Sequence, residues 1–225
     1  MRARATGLLG AVLLAVAGPA WGAGAEDARA DYLRTLERFE QGVGFSLERV
    51  FDSGLAAARA LREGREGPPA PLPGFLVNDE DVLDLRPDPR FFLALAKRRG
   101  TDVDREFFSL LGRTYAYDGV SRLYHAPGGC DAFDHPELEP LYRNWTRFWA
   151  THPRAYTEAV DQEVAALEDT VARSTCACGD RESVEAGLER FLKSFPRSPV
   201  APDVRARLEQ VRAGTSDFRF RCQPG

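Results

Sequence analysis

Cys176 and Cys178 are separated by a single alanine, and the other two cysteines, Cys130 and Cys222, lie about 45 residues away on either side. A bridge between Cys176 and Cys178 would close a very tight ring, so each is expected to pair with a distant partner. Four cysteines allow three connectivities, and the two that respect this constraint stay open. Either one demands a fold that gathers the loop at Cys130, the segment 176–178 and the C-terminal Cys222 at one corner. Each bridge would close a loop of roughly 45 residues, a stabilisation of about 2–4 kcal/mol in the chain-entropy view.

Disulfides need an oxidising compartment, and the N-terminus supplies a route to one. Arg2 and Arg4 precede an apolar run from Gly7 to Ala17, and Ala23-Gly24-Ala25 places small residues before Glu26. This is the pattern of a secretory signal peptide over residues 1–25. The apolar run is about half the roughly 20 residues of a spanning helix. No later stretch approaches that length, so no transmembrane segment is expected. The address this implies is the periplasm or the exterior.

The chain is 44% hydrophobic and 28% charged, the composition of a folded protein. Residues 26–180 hold 28 acidic against 19 basic side chains, whereas 181–225 hold 6 against 9. A net charge of −9 over most of the chain argues against nucleic acid as a partner.

Apolar spacing and start signals predict about seven helices. The first spans about Asp27 to Glu63, with Leu33, Leu36, Val43, Leu47, Val50 and Leu55 near one face. Gly42 and Gly44 interrupt it, so 26–66 reads as one kinked helix or a helical hairpin. A Pro-rich and acidic linker follows at 67–87, its Asn78–Asp84 portion a loop or short helix. The main body, 88–225, opens with an Asp88 cap before Pro89. Thr101 and Asp104 cap a second helix carrying Val103, Phe107, Leu110, Leu111 and Tyr115. Residues 117–130 read as loop with a short strand near Val120 to Tyr124. Asp134 and Glu137 fit a capping box for an aromatic helix bearing Leu138, Leu141, Tyr142, Trp145, Phe148 and Trp149. Pro153 opens the next helix, Asp180 caps another, and Pro199 or Pro202 starts the last near 200–213. Asp217 to Cys222 alternates Phe with Arg and reads as extended. The expected architecture is all-α: an irregular multi-helix bundle, stapled by disulfides, with a short extended C-terminal segment and one domain overall.

The stretch GLERFLKSFPRSPVAPDVRARLEQV, residues 187–211, resembles a half-repeat of the tetratricopeptide-like proteins of bacterial envelopes. Phe195, Pro196 and Ser198 match the aromatic-Pro-x-Ser turn, and Val204 and Leu208 match the packed face of the second helix. The resemblance implies a helix pair of the kind that presents binding surfaces. No second copy recurs at the period of about 34 residues that repeat stacking uses.

No Gly-x-Ser-x-Gly elbow, His-Glu-x-x-His, phosphate-cradling loop or dinucleotide fingerprint is present, and no motif implies a metal or cofactor. His135 and His152 each precede a proline at a predicted helix start, which leaves His125 as the one histidine without a local task. His125, Asp131 and Asp134 are therefore the candidates for an acid/base site in the 125–139 loop. Cys176-Ala177-Cys178 with His125 and His135 is the alternative of thiolate metal or redox chemistry. Trp145 and Trp149 stand four residues apart on one helix face. They are core if that face is inward and a partner-binding face if it is exposed. The leading expectation is a non-enzymatic envelope protein that binds another envelope protein or a peptide. An envelope hydrolase using the 125–139 loop comes second, and a cysteine-based metal or redox protein third.

Overall fold

Glycine breaks the first predicted helix in two. The structure, a computed structural model, describes residues 23–63, 71–78, 84–116, 121–126 and 129–222. Residues 1–22 of the predicted 1–25 leader lie outside these residues, as do 64–66 at the end of the predicted hairpin, 67–70 of the linker, 79–83 of the acidic run and 117–120 and 127–128 of the long loop. Helix α1 (Ala23–Glu40) begins within the predicted cleavage site and pairs with α2 (Leu47–Glu63) as a hairpin. Gly42 and Gly44 take φ of 77° and 80° in the connecting turn, a conformation costly for residues with a Cβ. Val43, expected on the apolar face, is half exposed in that turn. Tyr32, Leu36 and Phe39 of α1 and Val50, Phe51 and Ala57 of α2 are buried.

The expected linker is structured in its described parts. Strands β1 (Phe75–Asn78) and β2 (Asp84–Pro87) pair antiparallel, with Phe75 opposite Pro87 and Asn78 opposite Asp84. Asn78 and Asp84, the two ends of the expected loop or short helix, belong to these strands, and the rest of that portion, 79–83, lies outside the described residues. Gly54 of α2 lets the Phe75 ring approach closely, since a Cβ there would lie 2.7 Å from it. Tyr32 donates a hydrogen bond to the Pro73 carbonyl at 2.6 Å. Burial of Leu72, Phe75 and Leu85 against the first two helices outweighs the poor propensity of a Pro-rich stretch.

The caps at Asp88 and Thr101 form as expected. Asp88 accepts from the Arg90 amide at 3.0 Å at the start of α3 (Pro89–Arg99). Thr101 and Asp104 form a reciprocal capping box at the start of α4 (Asp102–Thr114). The box expected from Asp134 and Glu137 does not form. Helix α5 (Leu138–Thr151) begins later, and Glu137 at its N-cap makes no side-chain cap bond. Glu137 instead pairs with Arg113 at 3.0 Å, and His135 Nδ1 accepts the Glu137 amide. Pro153 likewise does not open a helix: α6 (Thr157–Arg173) starts four residues on, after Tyr156 at φ 53°. Asp180 caps α7 (Arg181–Ser194), and α8 (Ala201–Ala213) follows with Pro202 in its first turn. Helices α7 and α8 pack on each other, with Val204 and Leu208 buried. Among the described residues the helices number eight, which makes the chain predominantly all-α.

One hydrophobic core runs through these helices. The Phe51 ring meets Phe92, Phe107, Phe108 and Tyr156, so α2, α3, α4 and the entry to α6 converge on one side chain. Tyr156 stacks on Phe107 at 3.8 Å and donates its hydroxyl to buried Asp104 at 2.6 Å. Its own amide donates to Glu48 of α2 at 2.5 Å. Burial, reinforced by the Asp104 hydrogen bond, pushes the Tyr156 hydroxyl far above the ordinary tyrosine range. Tyr156→Phe leaves one Asp104 oxygen buried without its donor, at a cost of about 1.5–3 kcal/mol. Calorimetry should show a fall in Tm of roughly 3–12 °C; an unchanged Tm would show the bond to be dispensable.

Candidate functional site

Strand β5 (Cys176–Ala177) determines the geometry of the corner that the sulfurs share. The bridges are Cys130–Cys178 and Cys176–Cys222, which resolves the open connectivity and leaves all four cysteines paired. Four two-residue strands lie side by side here in the order β3 (His125–Ala126), β4 (Cys130–Asp131), β5 and β6 (Arg219–Phe220). Strands β3 and β4 are antiparallel, whereas β5 runs parallel to both its neighbours. The predicted C-terminal extended segment is therefore an edge of this sheet, and β3 lies just beyond the strand expected at 120–124. Helix α7 approaches so closely that a Cβ on Gly187 would fall 2.2 Å from the Phe133 carbonyl oxygen.

The sheet brings two of the three candidate acid/base residues together. His125 and Asp131 are register partners, and His125 Nδ1 lies 2.9 Å from Asp131 Oδ1. A carboxylate accepts, so the Nδ1–H of His125 is the donor of this bond. The Asp131 side chain is only 10% exposed and the His125 side chain 47% exposed. This is a base-and-orienter pair without a third member. Asp134 is exposed in the turn before α5 and, among the described residues, bonds to neither. His152 is not a helix-start residue; it ends α5, with Nε2 3.3 Å from Glu106. With every sulfur bridged, Cys176 and Cys178 offer no thiolate to a metal. Among the described residues, no group of three or more His, Cys, Asp or Glu side chains is placed to hold one.

Beside this pair lies a polar cluster that the sequence reading missed. Glu163 of α6 is almost fully buried and accepts from the Tyr115 hydroxyl at 2.8 Å and from Arg122 at 2.9 and 3.2 Å. The Tyr124 hydroxyl is buried nearby without a hydrogen-bond partner among the described residues. Burial first, then the Glu163 charge, pushes the Tyr115 hydroxyl well up, and burial does the same to Tyr124. Burial works against the Arg122 charge, but the Glu163 carboxylate outweighs it and holds the guanidinium protonated. The available signal was a lone glutamate between Val160, Val164 and Leu167 on the inward face of a helix. The cluster ties Tyr115 and Arg122 to α6, just before β3.

The aromatic helix divides its two tryptophans. Trp145 is fully buried, its indole N–H donating to Thr114 Oγ1 at 3.0 Å. Trp149 is 51% exposed, so the pair does not form one exposed face. Trp149 lies seven residues from Tyr142 and hence about 20° around the helix from it. Tyr142 is covered by Phe191 and Phe195, and Glu139 below it meets Arg190 and Ser194. Helix α7 ends at Ser194, beside Tyr142. The stripe that α7 covers therefore continues along α5 to Trp149 uncovered.

No protein-family model, curated protein or solved structure matches the chain. Among the described residues, no helix is long and apolar enough to cross a membrane.

Two outcomes follow from the buried polar groups. Glu163→Ala strands the Arg122 charge and should cost about 3–5 kcal/mol in urea unfolding; a loss under about 1 kcal/mol would refute a structural role for the pair. The second concerns alkaline pH. Burial, with a hydrogen bond to Glu168, pushes Tyr142 up to about 12 against an opposing contribution from Ser198. A folded value above the unfolded one near 10 adds stability that is complete below about pH 10 and lost between 10 and 12. Tyr115, Tyr124 and Tyr156 act in the same direction. Tyrosinate absorbance should therefore rise together with loss of helical dichroism. A gradual rise near pH 10 with the helices intact would contradict this.

Proposed function

We propose that the protein is exported to the periplasm or the exterior and there acts, without catalysis, by binding another envelope protein or a peptide at the uncovered end of the α5 stripe. The observation that carries the reading is Trp149. A large indole left half exposed on a face that a neighbouring helix covers one to two turns earlier is the kind of side chain that anchors interfaces. The charged leader with its short apolar core supports export, and two disulfides suit an oxidising compartment. The α7–α8 pair, whose sequence resembles a tetratricopeptide-like half-repeat, borders the same stripe.

A second reading rests on the His125–Asp131 bond at 2.9 Å. A half-exposed imidazole oriented by a carboxylate is half of a hydrolytic dyad. It ranks lower because Asp134, the expected third group, stays apart.

The two readings separate in one set of strains. With a photo-crosslinking residue at the exposed position 150, the intact protein should give a discrete adduct in cells, and Trp149→Ala should abolish it. Trp149→Ala should leave stability within about 0.5 kcal/mol of the parent, as for an exposed site. An adduct indifferent to Trp149, or none at all, would defeat the binding reading. Hydrolysis of an ester or glycan substrate that disappears in His125→Ala would favour the second.

A further inference from the structure

The two bridges of the four-stranded sheet are not equivalent. Cys130–Cys178 starts from an inner strand, β4, and Cys130 is only 6% exposed. Strand β4 is paired on both sides, to β3 and to β5. Cys176–Cys222 instead fastens the edge strand β6, and both of its cysteines are partly exposed. Cys222 Sγ lies at the surface, 3.2 Å from the Arg219 carbonyl oxygen. Arg221, which leads into Cys222, has φ 54°, a left-handed conformation that its Cβ disfavours. The Arg221 side chain does little to offset this, being 76% exposed and 3.5 Å from Asp180.

Few other contacts hold β6 in place. The amides of Arg219, Arg221 and Cys222 donate to the carbonyls of Thr175, Gly179 and Ala177 at 2.8–2.9 Å. Phe218, just before the strand, is buried against the Phe133 ring and the Arg207 guanidinium. One ring and three hydrogen bonds stabilise less than the fixing of residues 217–222 costs in chain entropy. The bridge makes up the difference by keeping β6 beside β5. The strain at Arg221 persists because the surrounding ties impose it, and the one covalent tie among them is this bridge.

We propose that Cys176–Cys222 is a redox-sensitive latch, opened by a dithiol reductant while Cys130–Cys178 stays closed. A thiolate of the reductant attacks Cys222 Sγ and expels Cys176 as a thiolate, which takes up a proton. The reductant's second thiolate then attacks its own partner sulfur in the mixed disulfide. Cys222 leaves as a thiolate and is protonated, and the reductant's disulfide closes. The latch gains two electrons and two protons, and the dithiol loses them. Arg221 then relaxes and β6 leaves. The carbonyls of Thr175, Ala177 and Gly179 lose their donors, Phe133 loses the Phe218 ring beside it, and β5 becomes the edge of the sheet. The His125–Asp131 pair, on the other side of β5, keeps its place. The latch does not rest on the Trp149 reading.

The test is graded reduction of the purified oxidised protein with dithiothreitol, quenched in acid and mapped by differential alkylation and peptide mass. Thiols at Cys176 and Cys222 should appear at least tenfold faster than thiols at Cys130 and Cys178. In the singly reduced protein, hydrogen exchange at the Arg219 and Cys222 amides should quicken at least tenfold. The Cys178 amide, which donates to the Asp131 carbonyl, should keep its protection, and helical dichroism should not change. A chain carrying both Cys176→Ser and Cys222→Ser should show the same exchange pattern with its helices intact. Equal rates for the two bridges, earlier opening of Cys130–Cys178, or a surviving bridge other than Cys130–Cys178 would overturn the proposal. So would Arg219 and Cys222 amides that stay protected after reduction. Loss of helix in the double variant would show a structural staple, not a latch.

Discussion

Cys176, in strand β5, and Cys178, just after it, carry both covalent constraints of the fold. Side chains two apart in a strand share a face, so the two sulfurs reach out from the same side while buried Ala177 faces inward. One sulfur holds Cys130 and the other Cys222, and β5 becomes an inner strand of a sheet whose members come from three separate parts of the chain. Strands of two residues have too few ladder hydrogen bonds to persist alone. The bridges supply the closeness that these strands cannot supply themselves, and the register of β3 with β4 sets His125 opposite Asp131.

A second convergence joins the N-terminal hairpin to the rest. Tyr156 receives its aromatic contacts from Phe51, Phe107 and Phe108, donates its hydroxyl to Asp104 and its amide to Glu48. Its left-handed backbone is strained for a residue with a large side chain. That strain is offset because one residue satisfies two carboxylates and fills the space among three helices. Asp104 in turn caps α4 with its other oxygen, so a local helix start and a long-range contact share one side chain.

The chain is arginine-rich, and most of its ion pairs are exposed and contribute little. The exceptions are buried. Glu163 satisfies Tyr115 and Arg122, and Arg207 donates to the Val171 and Ser174 carbonyls at the end of α6 while lying 4.1 Å from the centre of the Phe218 ring. These groups fix where the long loop and the C-terminal strand sit. They act on position more than on chemistry.

Local physics was legible in the residues alone. The helices, the caps at Asp88, Thr101 and Asp180, the break at Gly42 and Gly44 and the extended C-terminus depend on neighbours within a few positions. So does the rule that Cys176 and Cys178 must each look elsewhere for a partner. His125 and Asp131 were legible as candidates, but not the separation of Asp134 from them or of Trp149 from Trp145. Tertiary structure decided what depends on distant contacts: which cysteine joins which, the pairing of 75–78 with 84–87, the sheet of two-residue strands and the burial of Glu163. Strands that short have no period to read, and a carboxylate in an apolar stripe does not announce its partner. Helix α7 leaves Trp149 uncovered only because of where it ends relative to α5, and no spacing within α5 itself encodes that.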